Sequence, residues 1–538
     1  MDERLGSRRQ ARCENRESAH FKRDYDVIVV GAGPTGLTVA NILARLGITV
    51  ALFERHSSPY NLPRAGHIDE EVLRILQGIG CLPEILAESY QIQSVPLLDA
   101  KGEFLLDLVR AHESPSSFVS VMMYQPLLED SLYGQLRKLH DVVRIFQGWT
   151  VVEVEQGVSS VCIEARPANG VAADAKPAES FTAKFLIAAD GAASSIRRMI
   201  GIAREDFGFN ERWMDIDVAY LRPCDFGPPA IFGDPKRPRF ISPLGKSHHR
   251  FECQLFKHES AEEFSTPRRA WEFLRENGAT PEDVEIVRHA VYTFEYRLAQ
   301  RWRERRVLLM GDAAHTISPL LGQGMSSGMR DAINLGWKLD LVLRGVAHSS
   351  ILDTYEVERR PHLQAWADLS LMAGEFICLT DPEQAAARDA RIRRGEVPAW
   401  RPPPTLTTGI FALSADEAGV AGRLLPQHGV RLNGIQGLFD DVVDNQFLLL
   451  TLSDPETLLT AEDREFMDRI DMRSLRFSED HRDTYCIADP TGAYQSFFAN
   501  RHLQALVVRP DRYMFGGAQA PENSTTLLGY LRRALELC

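Results

Sequence analysis

The spacing of apolar positions predicts a strand, a helix and a second strand where the ordered chain begins. Tyr25–Val30 is a short run rich in β-branched residues, which is typical of a buried parallel strand. Apolar residues then recur at helical spacing between Leu37 and Ala44, and Gly47 stands where a helix C-cap is expected. Ile48–Phe53 is the second apolar run. A strand–turn–helix–strand unit is therefore predicted for this segment.

Two later apolar runs, Phe185–Ala189 and Val307–Met310, also lead directly into a turn that contains glycine and aspartate. The residues between them have a different pattern, because apolar and polar side chains alternate over residues 214–220. Alternation of period two predicts antiparallel strands with one face on a core. We therefore expect an α/β unit of parallel strands that is interrupted by a β-rich insert.

The two ends of the chain differ from this central part. Residues 1–23 are polar and are predicted to form a disordered tail. Residues 395–408 are proline-rich, and such segments act as stiff spacers between packed units. Beyond them, strand-like runs at Phe447–Leu452 and Leu503–Val508 predict a separate small α/β domain.

Composition excludes several functions. The 538 residues carry a formal net charge of −13 without a basic stripe, so nucleic-acid binding is not expected. The 8 cysteines include no CxxC pair, which predicts reduced thiols and no metal site. The sequence has no apolar run of about 18 residues, so no membrane span is expected. A cytoplasmic protein is the resulting prediction.

The first chemical motif is the glycine-rich turn after the first strand, Gly31-Ala-Gly-Pro-Thr-Gly36. Glycine is needed where a chain turns tightly and where its backbone must approach a pyrophosphate. The helix that follows directs its N-terminal N–H groups and partial positive charge at such an anion. Glu54 ends the second strand, where an acid can accept a hydrogen bond from a ribose hydroxyl. Dinucleotide binding is therefore predicted.

A second motif lies in residues 310–338, MGDAAHTISPLLGQGMSSGMRDAINLGWK. Asp312 follows a predicted strand, at the edge of the sheet where ligands bind in open α/β folds. The loop Gly322-Gln-Gly324 precedes a helix and can bring backbone N–H groups to a planar ring with partial negative charge. The alternative for Asp312 is a helix cap, a role that suits aspartate.

Together these motifs resemble those of the single-component flavoprotein aromatic hydroxylases, the p-hydroxybenzoate hydroxylase-like family. The glycine-rich turn with Glu54, the Asp190-Gly191 pair and the GDAAH segment with its GQG loop occur in the family's order. Arg64-Ala-Gly66 resembles the family's flavin-contacting arginine segment. The stretch Val508–Tyr513 is similar to part of the thioredoxin-like tail domain of larger members. Residues 324–332 look closest to the 3-(3-hydroxyphenyl)propionate hydroxylases.

The resemblance implies an α/β fold in which a Rossmann-like FAD-binding domain is interleaved with an antiparallel substrate sheet. Residues 24–205 and 300–375 would form the FAD-binding domain, with part of the substrate sheet near residues 90–120. Residues 206–299 would form the β-rich substrate domain, residues 376–409 a helix and linker, and residues 410–538 a thioredoxin-like domain. Because that last domain lacks CxxC, a structural or oligomerisation role outside catalysis is expected for it.

The resemblance also assigns FAD contacts to matching positions. They are Gly31, Gly33, Pro34, Thr35 and Gly36 at the pyrophosphate; Glu54 at the adenosine ribose, with Arg55 beside it; Arg64 and Gln125 on the flavin side; Asp190 in the DG pair that also serves the pyridine nucleotide; Gly311 and Asp312 at the ribityl chain; and Pro319, Gly322, Gly324 and Met325 at the isoalloxazine ring. One departure is Ser318, which stands where many members have a first proline before Pro319.

The implied activity is that of an FAD-dependent monooxygenase, which hydroxylates a phenolic ring with NADH or NADPH and O₂ through a flavin C4a-hydroperoxide. His67 and Tyr220 are candidates to contact the substrate, and Pro319 would border the reacting part of the flavin. The ordinary alternatives are a surface histidine and a core tyrosine. At the level of function, the alternatives are a Baeyer–Villiger or other polyketide-tailoring oxygenase on the same fold, and a non-catalytic flavoprotein. The expected partners are a small aromatic substrate, O₂ and a second copy in a homodimer.

Overall fold

The computed structural model describes residues 24–59, 61–110, 118–168, 177–397, 402–478 and 485–535. The predicted disordered tail, residues 1–23, lies outside the described residues.

The strands, in chain order, are β1 Asp24–Val30, β2 Val50–Glu54, β3 His67–Ile68, β4 Tyr90–Gln91, β5 Ser94–Leu98, β6 Phe104–Arg110, β7 Val121–Met122, β8 Val143–Gln147, β9 Trp149–Gln156, β10 Val161–Pro167, β11 Glu179–Ala188, β12 Arg204–Tyr220, β13 Ala230–Phe232, β14 Arg239–Leu244, β15 His248–Leu255, β16 Val284–Ala299, β17 Arg303–Glu304, β18 Val307–Leu309, β19 His315–Thr316, β20 Gly429–Leu432, β21 Ile435–Leu438, β22 Leu448–Thr451, β23 Arg473–Phe477, β24 Cys486–Ala488, β25 Ala505–Val508 and β26 Met514–Ala518.

The α-helices are α1 Pro34–Arg45, α2 Glu70–Ile79, α3 Leu82–Glu88, α4 Gln125–Lys138, α5 Ser195–Met199, α6 Ala261–Phe264, α7 Pro267–Glu276, α8 Gln323–Leu343, α9 Thr354–Ile377, α10 Pro382–Arg393, α11 Phe439–Val442, α12 Pro455–Leu458, α13 Ala461–Arg469, α14 Ala493–Asn500 and α15 Ser524–Ala534. Short 3₁₀ turns span Gly311–Ala313, Ser349–Asp353 and Pro521–Asn523.

The first sheet has the order β17-β18-β11-β1-β2-β8, and all pairings from β18 to β8 are parallel. The register pairs Val30 with both Ala188 and Phe53, and Ala188 with Leu309. The carboxyl ends of β1, β2, β11 and β18 therefore meet at one edge. In a doubly wound sheet this edge is the one at which nucleotides bind.

The second sheet is antiparallel over most of its width, in the order β19-β16-β12-β15-β14-β13-β5-β6. Strands β5 and β6 come from residues 94–110, which lie within the range of residues 90–120 that is expected to contribute to this sheet. One face packs on α6 and α7 through an apolar cluster that includes Met214, Ile216, Phe251 and Phe273. Because side chains alternate along a strand, the neighbouring positions of β12 and β15 point to the opposite face.

The C-terminal sheet has the order β21-β20-β24-β23-β22-β25-β26. Strands β22, β23 and β24 are parallel, whereas β25 and β26 are antiparallel to their neighbours. Helix α13 lies between β22 and β23 along the chain, α14 lies between β24 and β25, and α15 follows β26. This mixed sheet with intervening helices agrees with the thioredoxin-like architecture that the tail motif implies.

The C-terminal sheet does not form an isolated unit, which differs from the expectation of a separately packed domain. Phe447, Val507 and Phe515 belong to the same apolar cluster as Val29 and Leu335 of the first sheet and α8. The physical reason is that α8 presents apolar side chains, including Trp337, to the C-terminal sheet as well as to the first sheet. The ring of Trp337 meets that of Phe447 edge-on at 5.4 Å.

The segment predicted as a proline-rich spacer is packed where it is described. Leu406 is buried, and Thr408 Oγ1 donates a hydrogen bond of 2.6 Å to the carbonyl of Val357 in α9. Pro398 lies outside the described residues. Residues 402–408 therefore attach the C-terminal sheet to α9 and do not hold it at a distance.

The part of the chain that the structure describes contains neither a membrane-spanning helix nor a metal-binding cluster. Within it, no helix has the length and apolar character needed to cross a bilayer. The same residues contain no cluster of three or more side chains that could hold a metal ion. Six cysteines of these residues are free, and Cys13 and Cys538 lie outside them.

Candidate active site

The glycine-rich turn joins the end of β1 to the N-terminus of α1. Gly31 has a φ of +102°, and a Cβ there would lie 2.3 Å from the carbonyl oxygen of Ala189 at the end of β11. A Cβ at Gly36 would lie 1.9 Å from the carbonyl oxygen of Gly31. These two glycines allow close backbone contacts within the protein. A Cβ at Gly33, by contrast, would meet no protein atom within 4 Å.

Helix α1 has no side-chain cap at its N-terminus and no acidic residue in its first turn. Pro34 occupies the first helical position, where a missing N–H costs nothing. The N–H groups of Thr35 and Gly36 therefore point, with the partial positive charge of the helix, into the open space beside Gly33. This arrangement fits an anion such as a pyrophosphate.

We expect Gly33→Ala to weaken FAD binding without destabilising the apoprotein, because the added methyl group occupies ligand space and touches no protein atom. The FAD affinity should fall by about tenfold, or ~1.4 kcal/mol, because the backbone at residue 33 can no longer approach the pyrophosphate closely. Isothermal titration with FAD and thermal unfolding of the apoprotein measure the two effects. Gly134→Ala in α4 is the matched control, since its Cβ also meets nothing within 4 Å. Equal FAD affinities for the two variants would contradict the assignment.

Glu54, at the end of β2, ties two loops together. Its Oε2 accepts a hydrogen bond of 2.9 Å from the backbone N–H of Ala32, and its Oε1 accepts one of 2.9 Å from that of His56. Each oxygen keeps further acceptor capacity for a ribose hydroxyl. Arg55 is exposed and its Nε contacts the ring of His56 at 3.2 Å.

Asp190, at the end of β11, also bonds to the protein through part of its carboxylate and leaves the rest for a ligand. Its Oδ2 accepts hydrogen bonds from the backbone N–H groups of Ser195 (2.8 Å) and Ile196 (3.1 Å) at the start of α5. Its Oδ1 is buried and has no partner among the described residues. Since a buried polar atom is normally satisfied, this oxygen is suited to a bound ligand.

Asp312 lies in the 3₁₀ turn that follows β18. Its side chain can be reached by solvent although it is surrounded by protein, so it lines an internal cleft. Burial raises the pKa of this carboxyl group, and the nearby positive charges of Arg64 and Arg204 oppose that rise. None of the described residues donates a hydrogen bond to the carboxylate. Asp312 is therefore not the helix cap that was its alternative, and it is available to ligand hydroxyls.

Asp331 in α8 organises this turn, and the sequence did not single it out. Its Oδ2 accepts from the backbone N–H of Gly311 at 3.1 Å and lies 2.6 Å from Nε2 of His315. Its Oδ1 accepts from Nε of Arg359 at 2.9 Å. The residue is fully buried. Its signals in the sequence are a charged position inside the apolar pattern of a helix and its place in the stretch of residues 324–332 that carries part of the resemblance.

The resemblance places residues 319–322 against the flavin, and we call this segment the flavin loop. It ends at the N-terminus of α8. Gly322 has a φ of +65° and its N–H donates to the carbonyl of Pro319 at 2.6 Å. Helix α8 begins without a side-chain cap, and a Cβ at Gly324 would meet nothing within 4 Å. Met325 packs against the main core. The first N–H groups of α8 thus face open space, as required for contact with an electron-rich ring edge.

The departure at Ser318 does not remove the turn. Ser318 is buried, its carbonyl accepts from Ser370 Oγ at 3.2 Å, and its own hydroxyl has no partner among the described residues. The following residue, Pro319, is partly exposed and still closes the turn with Gly322.

Gln125 fixes the arginine segment. Its Oε1 accepts from the backbone N–H groups of Arg64 (3.1 Å) and Ala65 (2.7 Å), while its Nε2 donates to Glu129 at 2.7 Å. Burial raises the pKa of Glu129 to about 7. Gln125 therefore acts on the cleft through the backbone of residues 64–65. The side chain of Arg64 is exposed.

His67 contacts the flavin loop. A Cβ at Gly322 would lie 2.8 Å from His67 Nδ1, so the imidazole stands directly over this glycine. His67 Nδ1 is buried without a hydrogen-bond partner among the described residues, and burial lowers the pKa of the ring. His67 therefore places a neutral imidazole where the arginine segment meets the flavin loop.

The face of the second sheet that is turned away from α7 carries a buried group of charges that sequence reasoning missed. Arg250 forms a two-point ion pair with Asp217, at 2.6 and 2.9 Å, and its Nη1 donates to the carbonyl of Arg64 at 2.8 Å. Burial and the neighbouring Asp215 raise the pKa of Glu252 well above its usual value. This group holds the arginine segment from the substrate side, and alternation along β12 and β15 was its only signal.

Tyr220 does not join these residues. It packs in the apolar cluster on the α7 side of the sheet, and its hydroxyl lies 3.0 Å from Nδ1 of His249. Burial raises the pKa of Tyr220 to about 12 and lowers that of His249 to about 3. The candidate substrate contact at Tyr220 is thus placed as a core tyrosine, because its position in β12 has the parity of Val218.

The structure therefore brings most predicted positions into one cleft and leaves it with features that a ligand would complete. These features are open space at Gly33 and Gly324, two uncapped helix N-termini, the unpartnered Asp190 Oδ1 and the unpaired Asp312 carboxylate. Gly33, Asp190 and Asp312 follow the carboxyl ends of β1, β11 and β18, the edge at which a dinucleotide binds in such a sheet. The residues fit FAD, and the fold and cleft define an FAD-binding oxidoreductase.

Comparison with known proteins agrees with this class. A family model described as FAD binding domain matches residues 24–370, and one described as HcaD C-terminal domain matches residues 422–533. The chain belongs to this FAD-binding family of flavoprotein monooxygenases. It is 33% identical over 508 residues to a probable NADH-specific resorcinol 4-hydroxylase of Rhodococcus jostii (strain RHA1), with 93% of both chains covered.

A 3-(3-hydroxy-phenyl)propionate/3-hydroxycinnamic acid hydroxylase of Mycolicibacterium smegmatis (strain ATCC 700084 / mc(2)155) is 32% identical over 532 residues, covering 94% of this chain and 93% of that protein. Among solved structures, the flavin-dependent monooxygenase PieE in complex with FAD and substrate superposes with a TM-score of 0.77 at 20% identity, covering 95% of this chain and 99% of that chain. The ternary complex of aklavinone-11 hydroxylase with FAD and aklavinone gives a TM-score of 0.77 at 23% identity, covering 96% and 100%. These structural similarities establish the fold.

Proposed function

We propose that the protein hydroxylates a phenolic aromatic compound with NADH and O₂. The observation that carries the proposal is the junction of the flavin loop, His67 and the Arg64 segment against the charged face of the second sheet. An aromatic ring held there would lie next to the reacting edge of the cofactor. The relatives described as hydroxylases of resorcinol and of a hydroxyphenylpropionate support a phenolic substrate, and the former is described as NADH-specific.

When bound, FAD would supply redox exchange with NADH and the activation of O₂. The chain's own residues supply position. Asp312 would accept hydrogen bonds from the ribityl hydroxyls, and the first N–H groups of α8 would hold the electron-rich edge of the ring. Gln125 and Arg250 fix the backbone of the Arg64 segment from two sides. Leu244 and Met122, which pack on Gly66, would exclude water on the substrate side.

His67 is our candidate for the group that accepts the phenolic proton. Ring hydroxylation is favoured by a deprotonated phenol, and a neutral imidazole can accept a proton at its unprotonated ring nitrogen. Its position over Gly322 places it beside the loop that would border the flavin. The catalytic assignments of His67 and Pro319 and the FAD contacts assigned above stay predictions.

The test is NADH oxidation by the purified FAD-loaded protein across a panel of phenolic acids and dihydroxybenzenes, with NADPH in parallel. We expect one phenol to raise the rate by about tenfold or more, since 1.36 kcal/mol of barrier is a factor of ten. Under ¹⁸O₂ the product should gain one labelled oxygen. A ring-expanded lactone would instead identify a Baeyer–Villiger oxygenase. If no phenol stimulates NADH oxidation and no product forms, the proposed hydroxylation is contradicted and the alternative of a non-catalytic flavoprotein is favoured.

Two further expectations belong to the same proposal. A cytoplasmic location is proposed from the scattered free cysteines. A homodimer is proposed as the assembled form, and size-exclusion chromatography with light scattering will decide it.

A further inference from the structure

The C-terminal sheet contributes one hydroxyl group to the polar network behind the flavin loop. Tyr513, next to β26, is 5% exposed, and its hydroxyl donates a hydrogen bond of 2.8 Å to Oε1 of Glu71 in α2. Burial raises the pKa of Tyr513 well above its usual value, so the hydroxyl keeps its proton and acts as the donor. This bond joins two parts of the chain that are 442 residues apart.

The other oxygen of the same carboxylate continues the network. Glu71 Oε2 accepts from Nε of Arg330 in α8, and Arg330 Nη2 donates to Asp69. The remaining guanidinium nitrogen, Nη1, donates at 2.9 Å to Oε1 of Gln323, the first residue of α8. Arg330 is 3% exposed. A continuous chain of hydrogen bonds therefore runs from Tyr513 to the residue that follows Gly322.

The same network holds the segment that carries His67. Asp69 stands two residues after His67 and caps α2 by accepting from the N–H of Val72 at 3.1 Å. Burial alone would lower the pKa of Arg330, but Asp69 and Glu71 raise it, so the guanidinium stays charged and bonded. Arg330 thus clamps the His67 segment to the start of α8. A buried network of this kind is rigid only while each member is satisfied.

We propose that Tyr513 is a positioning residue for the flavin loop: by fixing Glu71, and through it Arg330 and Gln323, the C-terminal domain sets where Gly322 and His67 stand in the cleft. This inference rests on the proposed function, because there the loop is assigned to the flavin. It changes the expected role of the C-terminal domain from support alone to control of cleft geometry. No part of it requires the C-terminal domain to exchange electrons.

Tyr513→Phe removes only the hydroxyl group. Its matched control is Tyr494→Phe, because Tyr494 is also a buried tyrosine of the C-terminal domain, but its hydroxyl bonds within that domain, to the carbonyl of Pro426 at 2.7 Å. We expect both variants to lose similar thermal stability. We expect Tyr513→Phe alone to weaken FAD binding about fivefold, to shift the visible flavin spectrum, and to raise the share of NADH electrons lost to H₂O₂.

The FAD dissociation constant and the flavin spectrum are measured without substrate or NADH, so they separate this inference from the proposed function. If wild-type protein binds FAD but hydroxylates nothing, the proposed function fails while these two readouts still decide the role of Tyr513. Equal FAD affinity and equal spectra for the two tyrosine variants would overturn the inference. If Tyr513→Phe does not fold, Glu71→Gln replaces it, since a glutamine there cannot accept from both Tyr513 and Arg330. An unchanged flavin spectrum in that variant would likewise overturn it.

Discussion

Replacing Asp312 by alanine is expected to remove most of the FAD from the purified protein and to leave the apoprotein folded. The carboxylate lines the cleft without a donor from the described residues, so its loss breaks no internal bond. Hydrogen bonds to a charged group contribute about 1.5–3 kcal/mol, so the FAD dissociation constant should rise by roughly 10- to 150-fold.

The apoprotein of this variant should be at least as stable as wild type. Burial raises the pKa of Asp312, so its ionised form is the costly one in the apoprotein. That cost appears as pH rises through the group's raised pKa range. Alanine removes it. Thermal unfolding at pH 7, with and without excess FAD, should therefore show equal or higher apoprotein stability and a much smaller gain on adding FAD.

Asp353→Ala is the control for Asp312→Ala. Asp353 is a mostly exposed carboxylate that pairs with Arg303 at 2.8 Å, in a 3₁₀ turn outside the segments assigned to FAD. The Asp353→Ala protein should keep wild-type FAD affinity. An Asp312→Ala protein that still copurifies with a full complement of flavin would disprove the assignment of Asp312.

Replacing Arg509 by methionine is expected to destabilise the protein by about 3–5 kcal/mol, because it leaves buried carboxylates without their cation. Arg509 donates two hydrogen bonds to Glu358 of α9, at 2.8 and 3.1 Å, and two to Asp511, at 2.6 and 3.1 Å. Lys338 lies 3.0 Å from Glu358, and all of these side chains are fully enclosed. Chemical denaturation of the apoprotein measures the loss.

A second substitution distinguishes charge imbalance from lost packing. Adding Asp511→Asn to Arg509→Met leaves Glu358 paired with Lys338 and should recover about half of the lost stability. Arg501→Met, at a half-buried arginine over the ring of Phe497, is the control and should cost about 1 kcal/mol or less. If the double variant is as unstable as the single one, unpaired buried charge is not the cause of the lost stability.

The fold was predictable because its signals are local. The apolar runs at Tyr25–Val30 and Val307–Met310 mark parallel strands, and the glycines between strand and helix mark the nucleotide edge. Asp312 was found for the same reason, since its position after a strand decides its direction. These residues act through their immediate neighbours in sequence.

The networks behind the cleft were not predictable, because each joins residues that are far apart in the chain. Arg330 meets Glu71 across 259 residues, and Arg509 meets Glu358 across 151. A buried arginine in a helix resembles a surface arginine until its partners are known. The substrate-contact prediction for Tyr220 has the converse weakness: alternation places a residue on one of two faces, but it does not say which face borders the cleft.

The apolar cluster that unites the first sheet with the C-terminal sheet also affects the order in which the protein can mature. Val507 and Phe515, which lie far beyond α8 in the sequence, join this cluster. During synthesis, the cluster stays incomplete until the residues of β25 and β26 have left the ribosome. A chain cut short before β25 would lack these strands and the Tyr513 bond, so a prematurely terminated product would be a substrate for chaperones and proteases instead of a working flavoprotein.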